Sequence, residues 1–153
     1  MRATTWLGLA LLLLSSDSAL SDFSGRVVGI ADGDTLTVLV DRKQVKVRIL
    51  DIDAPEAKQP FGTRSRQHLS TLCFDKQADV AEKGRDRYER TLGKVSCNGI
   101  DAGTAQVRAG MAWVFRRYAP NDSPLYELER EAMLSRRGLW TDPHAIPPWE
   151  WRK

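Results

Sequence analysis

The sequence predicts a mainly β fold with helices, in which a five-stranded barrel is accompanied by three α-helices. Three observations predict it. Five short segments are rich in β-branched residues and are bounded by turn signals, three segments carry helix signals, and the first helix falls between the third and fourth strands. A chain of 153 residues is long enough for one domain with a sizeable core, but not for two domains of ordinary size.

The strand segments are runs of β-branched and apolar residues. They lie at residues 24–30, 35–40, 45–50, 77–83 and 90–97. The pair Asp32-Gly33 separates the first two runs, and Asp-Gly in that position is a strong hairpin signal. Residues 41–44 predict a second turn, and Asn98-Gly99 predicts a turn after the last strand.

The helical segments lie at residues 61–74, 102–110 and 123–138. In the first helix, Leu69 and Leu72 fall on one side and are expected to face the core. Asp101 is placed to cap the second helix, and Gly110 is placed to end it.

The third helix has the strongest boundary signals. Ser123 is the expected cap, Pro124 the first helical residue and Gly138 the stop. Its expected core-facing residues are Leu128, Met133 and Leu134. The predicted order is three strands, a helix, two strands and two helices, which is typical of an OB-type barrel. A generic α+β sheet is the alternative topology.

Residues 1–21 have the pattern of a secretory signal peptide. Arg2 precedes an apolar run that ends at Leu14, and residues 19–21 form a small-x-small cleavage site. The run is too short to span a bilayer as a helix, and an uncleaved membrane anchor is the alternative interpretation. Residues 22–153 would then form one exported domain, in the periplasm or secreted, that has no membrane contact after cleavage.

Export bears on whether the two cysteines are oxidised or reduced. Cys73 and Cys97 are the only cysteines, and an even pair in an oxidising compartment predicts a disulfide. Two separate buried thiols are the alternative. Neither a CxxC pair nor a histidine motif indicates metal binding, since His68 and His144 stand alone.

Charge is distributed unevenly along the chain. The net charge of +3 is a mild excess, compatible with a polyanionic partner but not evidence for one. Acidic residues cluster near residues 32–56, whereas arginines cluster at 85–90, 116–117 and 136–137.

The second predicted hairpin brings acidic side chains together. If residues 42–43 close it, Thr35 pairs with Leu50, Asp34 lies opposite Asp51, and Asp53 lies just beyond. Carboxylates this close repel one another unless a cation or a basic group lies between them. Two or three carboxylates with a backbone carbonyl form a hard oxygen site suited to Ca²⁺ or Mg²⁺.

Arg48 and Glu56 add the groups that hydrolysis of a phosphodiester needs. Arg48 is on the same hairpin, and its planar guanidinium suits a phosphate. Glu56 follows Pro55, and a carboxylate held off the metal is suited to orient or deprotonate an attacking water. Each feature alone has an ordinary explanation as a turn, a solvated arginine or a surface glutamate, so the prediction depends on the combination.

Five motifs stand out along the chain: IADGDTLTV at 30–38, VRILDIDAPE at 47–56, DRYER at 86–90, VRAGMAWVFRRY at 107–118 and RRGLW at 136–140. Together they resemble the staphylococcal nuclease-like, or thermonuclease, family. Each is weak alone, but the first three together are highly specific. The resemblance implies an OB-fold barrel with three helices. It also implies a monomeric Ca²⁺-dependent endonuclease that hydrolyses DNA and RNA with little sequence specificity.

The resemblance also assigns roles to residues. The implied calcium ligands are Asp34, Asp53 and the backbone carbonyl of Ala54. The implied catalytic residues are Glu56 as general base and the phosphate-binding arginines Arg48 and Arg90. The implied nucleotide-binding residues are Tyr88, Arg116 and Tyr118.

Two positions depart from the family pattern. Glu89 replaces the usual glycine of the DRYER motif; if that glycine forms a left-handed turn, Glu89 would be strained or would shift Arg90, so that Arg87 is presented instead. Arg116 stands where the best-known member of the family has an aromatic residue, which favours phosphate contact over base stacking.

The main alternative function is a catalytically silent OB-fold module that binds single-stranded nucleic acid. All the residues that the family uses for catalysis are present, which favours the enzyme. The segment PPWEWRK at 147–153 has no assigned role. Its two tryptophans are expected to pack on the barrel, with base stacking as the alternative.

Overall fold

The computed structural model describes residues 22–153. The predicted signal peptide at residues 1–21 therefore lies outside the described residues. Within residues 22–153, no helix is both long and apolar enough to span a bilayer.

All the predicted strands and helices are present. The strands are β1 (Phe23–Asp32), β2 (Thr35–Val40), β3 (Lys43–Ile49), β4 (Ile52–Asp53), β5 (Gln77–Arg85), β6 (Thr91–Cys97), β7 (Ile100–Asp101) and β8 (Trp113–Val114). The helices are α1 (Gly62–Cys73), α2 (Ala102–Arg108), α3 (Leu125–Leu134) and the single turn α4 (Pro148–Trp151), with a 3-10 turn at Gly138–Thr141. The two-residue strands β4, β7 and β8 and the turn α4 were not predicted.

Five strands close into the predicted barrel. Antiparallel pairing gives the order β3-β2-β1-β5-β6, and parallel pairing between β3 and β6 closes it. This closure confirms the OB-type barrel over an open α+β sheet. The inward side chains are apolar and fully buried, and Leu69 of α1 joins them, so burial of this core is the main stabilising contribution.

The β2–β3 hairpin has a register different from the predicted one. Thr35 pairs with Arg48 rather than with Leu50. The turn consists of Asp41 and Arg42, which both have positive φ (46° and 67°), as in the two-residue turns that match the twist of a hairpin. The prediction placed the turn one residue too late, and the register therefore shifts by two residues. A shift of two leaves every side chain on its predicted face of the sheet.

Helices α1 and α2 follow their predicted boundaries. Leu69 is fully buried, and Leu72 packs against the core. The Asp101 carboxylate accepts a hydrogen bond from the Thr104 N–H at 2.7 Å and so caps α2. Gly110 ends that helix in a left-handed conformation at φ 67°.

Helix α3 ends four residues earlier than Gly138, its predicted stop. Arg136 adopts the left-handed conformation at φ 50°. The N–H groups of Arg136 and Arg137 bond back to carbonyls of the last helical turn at 3.1 and 2.9 Å. This is a Schellman ending with arginine in the position usually held by glycine. Gly138 instead lies against Gly110, where an added Cβ would be 2.3 Å from a carbonyl oxygen.

The buried face of α3 also differs from the prediction. Met133 and Leu134 are 47% and 72% exposed, so their predicted core positions are wrong. The helix instead buries Leu125, Glu129 and Ala132, which recur at helical spacing. Leu128 is half-buried against the core. Hydrophobicity alone misplaced this face because its central residue is a carboxylate.

Glu129 is a buried carboxylate that joins α3 to β8. It accepts the Val114 N–H at 2.9 Å and the Arg116 guanidinium at 2.7 Å. A buried carboxylate is tolerated only when it is hydrogen-bonded and paired, and Glu129 meets both conditions.

Cys73 and Cys97 form a disulfide, which confirms the predicted pairing and excludes two free thiols. The bond links the end of α1 to the end of β6, and both residues are buried. It therefore attaches the helix at the base of the barrel to a barrel strand.

We expect the variant C73A/C97A to lose about 3 kcal/mol of unfolding free energy. The disulfide closes a loop in the unfolded chain and so lowers the conformational entropy of the unfolded state. Urea unfolding followed by circular dichroism measures the loss. Wild-type protein in dithiothreitol is the matched control and should show a similar loss. Equal midpoints for oxidised and reduced protein would contradict the prediction.

Replacement of Glu129 by alanine should lower the free energy of unfolding by about 2 kcal/mol, because the buried Val114 N–H loses its acceptor. Glu127→Ala on the same helix is the control. Its ion pair with Arg130 is exposed, so we expect little change. Equal effects of the two substitutions on the urea midpoint would show that the buried hydrogen bonds are not important.

Candidate active site

A cleft of about 710 Å³ lies at the end of the barrel where β2 begins and β3 ends. Every predicted site residue except Arg116 lines it. These residues are Asp34, Arg48, Asp53, Ala54, Glu56, Tyr88, Arg90 and Tyr118. The fold therefore brings together side chains that are up to 84 positions apart in the sequence, Asp34 and Tyr118 being the most distant.

Asp34 and Asp53 are the most deeply buried charged groups of the cleft, with exposures of 4% and 1%. The Asp34 carboxylate accepts the Thr35 hydroxyl at 2.9 Å and the Ala54 N–H at 2.7 Å. Asp53 is held by the pairing of β4 with β8, in which it lies opposite Trp113. The backbone around both carboxylates is thus set by hydrogen bonds, so that their positions are determined before any ligand binds.

Asp32, rather than the predicted Asp51, is the neighbour of Asp34. The Asp32 carboxylate accepts the Asp34 N–H at 3.0 Å, and burial together with the Asp34 charge raises the pKa of Asp32 to about 7. Burial also raises the pKa of Asp51, and the charges that act on this carboxylate are those of Lys94, which lowers its pKa, and Asp101, which raises it. The predicted placement of Asp51 opposite Asp34 is wrong because the hairpin register is shifted by two residues, and Asp51 lines the same cleft from another position.

A polar network beneath the turn at Gly33 was missed by the sequence analysis. The fully buried amide of Gln106 donates to the Gly33 carbonyl at 2.6 Å and also contacts Ser65 and His68. A Cβ at Gly33 would lie 1.7 Å from the Ser65 Oγ, so only glycine fits there. The one signal in the sequence was a glutamine on the apolar side of α2.

Arg48 lies between the two buried carboxylates and is itself largely buried. Its guanidinium donates to the carbonyls of Ile49 and Ile52 at 2.8 and 2.9 Å and to Asp53 at 3.2 Å. A nitrogen of the same group is 3.4 Å from Asp34. Three acceptors and the ion pair with Asp34 therefore hold the guanidinium in one orientation, where its charge offsets part of the negative charge of the cleft.

The loop between β5 and β6 presents Arg90. Asp86 accepts the backbone N–H groups of Tyr88 and Arg90 at 2.9 and 3.0 Å and the Arg90 Nε at 2.7 Å. Glu89 adopts the left-handed conformation at φ 61°, which costs about 1 kcal/mol for a residue with a Cβ. The loop thus forms the turn expected of a glycine at this position, and Arg90 still lines the cleft.

Aromatic side chains form the outer part of the cleft. Tyr88 and Tyr118 are 64% and 63% exposed, and the rings of Tyr118 and Phe115 pack edge to face. Arg116 is turned away, since its guanidinium bonds Glu129 and lies 5.1 Å from the Tyr126 ring. Its neighbour Arg117 lines the cleft instead.

Arg152 reaches the cleft from the segment at 147–153, and sequence reasoning did not foresee it. Its guanidinium donates to Asp53 at 2.8 Å and to Glu56 at 2.6 Å. Burial raises the pKa of Asp53, whereas the hydrogen bond from Arg152 acts in the opposite direction. Trp149 of the same segment stacks on Phe115 with ring centroids 5.6 Å apart, so that this tryptophan packs on the fold as predicted.

The donor set fits a hard divalent cation. Asp34 and Asp53 offer carboxylate oxygens beside the Ala54 backbone, and burial, followed by the charge of Asp34, raises the pKa of the neighbouring Asp32. Within the described range, no three His, Cys, Asp or Glu side chains are grouped to hold a metal ion. The predicted ligand set needs only two carboxylates and a carbonyl, so the calcium site stays a prediction.

Comparison with known proteins identifies relatives along almost the whole chain. A family model described as Staphylococcal nuclease homologue matches residues 46–142. A protein named Micrococcal nuclease from Shigella flexneri is 47% identical over 94% of this chain and 88% of its own length. Protein ParB from Escherichia coli is 45% identical over 95% and 87% of the two chains. A protein described as an uncharacterized endonuclease from Escherichia coli O157:H7 is 41% identical over 96% of each.

The family match includes the segments that supply Arg48, Asp53, Glu56 and Arg90, and the longer alignments include the turn at Asp34. The closed barrel and the arrangement of acids and arginines at its end agree with these relationships. The chain therefore belongs to the staphylococcal nuclease-like family.

Proposed function

We propose that this protein is a nuclease, specifically a Ca²⁺-dependent endonuclease that hydrolyses phosphodiester bonds of DNA and RNA with little sequence specificity. One observation carries the proposal. Two buried carboxylates, Asp34 and Asp53, flank the guanidinium of Arg48 in a cleft that also contains Glu56. The names of two relatives, a micrococcal nuclease and an endonuclease, support the same reaction class.

Asp34, Asp53 and the carbonyl of Ala54 would hold the cation. When bound, a divalent cation polarises a phosphoryl oxygen and offsets the charge that grows during attack on phosphorus. The hard oxygen donors suit Ca²⁺, and a ligand set this small leaves room for water and for a substrate oxygen.

Glu56 is the proposed general base. Its side chain is 38% exposed at the cleft, and its backbone N–H is held by the Gln59 side chain at 3.0 Å. A carboxylate in this position is able to orient a water molecule and accept its proton. The proton would thus go to Glu56 as the water oxygen bonds to phosphorus and the ester oxygen leaves.

Arg48 and Arg90 are the proposed donors to the phosphate. They enter the cleft from neighbouring strands, because β3 and β6 pair directly after Arg90, with Arg48 opposite Leu92. Guanidinium groups stabilise the charge that develops on phosphoryl oxygens and on the leaving oxygen. The exposed rings of Tyr88 and Tyr118 are suited to stack on a base of any identity, which supports low sequence specificity.

Export to the periplasm or the exterior is part of the proposal. The leader pattern at residues 1–21 and the buried disulfide between Cys73 and Cys97 both support an oxidising compartment. We expect the protein to act as a monomer on DNA and RNA.

The second candidate is a catalytically silent OB-fold module that binds single strands. One observation favours it: Arg152 forms ion pairs with both Asp53 and Glu56, two residues that the reaction needs. In that case the cleft would bind a phosphate backbone without cleaving it.

Cleavage of single-stranded DNA by the purified protein separates the two candidates. We expect hydrolysis with Ca²⁺, none with excess EGTA, and a loss of about 10²–10⁴-fold in kcat for Glu56→Gln, because proton transfer to the base is removed. Glu127→Gln, on the exposed face of α3, should keep wild-type activity. No cleavage with Ca²⁺, Mg²⁺ or Mn²⁺ but retained DNA binding would instead support the silent module.

Lysine substitutions test which arginine of the loop contacts the phosphate. For Arg90→Lys we expect kcat to fall about 10²–10³-fold, because a planar donor to the transition state is replaced by a point charge. Arg87→Lys, three positions earlier, should lower kcat less than Arg90→Lys does, since Arg87 lines the outer part of the cleft, where it contacts Tyr88. A larger loss for Arg87→Lys would mean that the loop presents Arg87 to the substrate.

A further inference from the structure

Arg152 bridges the two kinds of group that the proposed reaction needs. One of its nitrogens donates to an Asp53 oxygen at 2.8 Å, and the other donates to Glu56 at 2.6 Å and lies 3.3 Å from the second Asp53 oxygen. A single guanidinium therefore binds a proposed metal ligand bidentately and also binds the proposed base. Charge-assisted pairs of this geometry are among the strongest hydrogen bonds in proteins.

The segment that carries Arg152 is anchored to the fold. Trp149 lies parallel to the Phe115 ring, with 7° between the ring planes, and Pro148 is buried. Gln59 donates to the carbonyl of Ile146, and the same side chain accepts the N–H of Glu56. The anchor and the Glu56 loop thus share one hydrogen-bonding residue, which places Arg152 next to the carboxylates.

The two partners differ in how easily they can separate. The Asp53 side chain is 2% exposed, so it requires a compensating positive charge whether or not Arg152 is in contact with it. The Arg152 side chain is 43% exposed, and its head group can return to water at little cost. Arg48 already serves both Asp34 and Asp53, so Arg152 is the second cation at Asp53.

A divalent cation and Arg152 would compete for the same oxygens. A cation bound to Asp53 would repel a guanidinium at 2.8 Å from that carboxylate. Arg152 would then have to leave Asp53, and Glu56 would be released from its ion pair at the same time. In the metal-free state, the guanidinium keeps both carboxylates paired and in place.

We propose that Arg152 is a positioning residue that takes the place of the divalent cation at Asp53 and Glu56 and thereby lowers the affinity of the site for that cation. This inference rests on the proposed function, since it concerns the same metal site. It predicts that release of Glu56 for catalysis accompanies metal binding.

The test is calorimetric titration of the metal-free protein with Ca²⁺ alone. We expect Arg152→Gln to bind Ca²⁺ about tenfold more tightly than wild type, within the roughly 5–150-fold range typical of coupled sites. Arg152→Lys keeps the charge and should remain close to wild type. Lys153→Gln is the matched control, because Lys153 pairs with Glu150, outside the cleft, and its replacement should leave the affinity unchanged.

A second measurement keeps the test valid if Arg152→Gln is less stable. In EGTA, we expect its Tm to be lower than that of wild type, since Asp53 loses a partner, and saturating Ca²⁺ should raise its Tm by more than it raises that of wild type. If Arg152 had a purely structural role, saturating Ca²⁺ would raise the Tm of Arg152→Gln by less than it raises that of wild type, because a loosened site binds the metal more weakly.

The outcomes distinguish this inference from the proposed function. Equal or weaker Ca²⁺ binding by Arg152→Gln, with wild type binding Ca²⁺ and cleaving DNA, would overturn the role of Arg152 alone. Absence of Ca²⁺ binding by both proteins would overturn the metal site and this inference with it. Tighter binding by Arg152→Gln, together with wild-type affinity in Lys153→Gln, would support both.

Discussion

The burial of two carboxylates side by side is the constraint on which the rest of this site depends. Asp34 and Asp53 have lost almost all contact with water, and an uncompensated buried charge costs several kcal/mol. The compensation comes from backbone N–H groups, from the guanidinium of Arg48 and from Arg152. These groups come from distant parts of the chain, so the acidic end of the barrel forms only when the whole domain is folded.

Barrel closure places the arginines relative to these carboxylates. The parallel pairing of β3 with β6 sets Arg48 opposite Leu92 and carries Arg90, two residues earlier, to the same end. The short β4–β8 pairing brings Asp53 and the segment that follows Trp113 to this end as well. These two strand pairings thus converge at the cleft, and a rigid scaffold of this kind keeps functional groups in position without help from a ligand.

Two local features of this chain then adjust the site, namely the backbone at Glu89 and the buried amide of Gln106. Glu89 accepts a left-handed backbone in the Arg90 loop, where the hydrogen bonds of Asp86 hold the turn closed. Gln106 supports the turn at Gly33 from below through a buried amide. Both features cost free energy locally, since glutamate disfavours positive φ and an amide disfavours burial. Both are stabilised by hydrogen bonds that satisfy the groups concerned.

The sequence by itself determined the order of strands and helices, the disulfide, and the motifs that supply most of the cleft. Alternating apolar residues, turn pairs and caps act over a few residues, so each can be read locally. The tertiary structure decided the register of the β2–β3 hairpin, which pairs Thr35 with Arg48 rather than with Leu50. It also decided the position of Arg152, 99 residues from Asp53 in the chain. Such contacts depend on where distant segments meet in space, and a local pattern carries no information about that meeting.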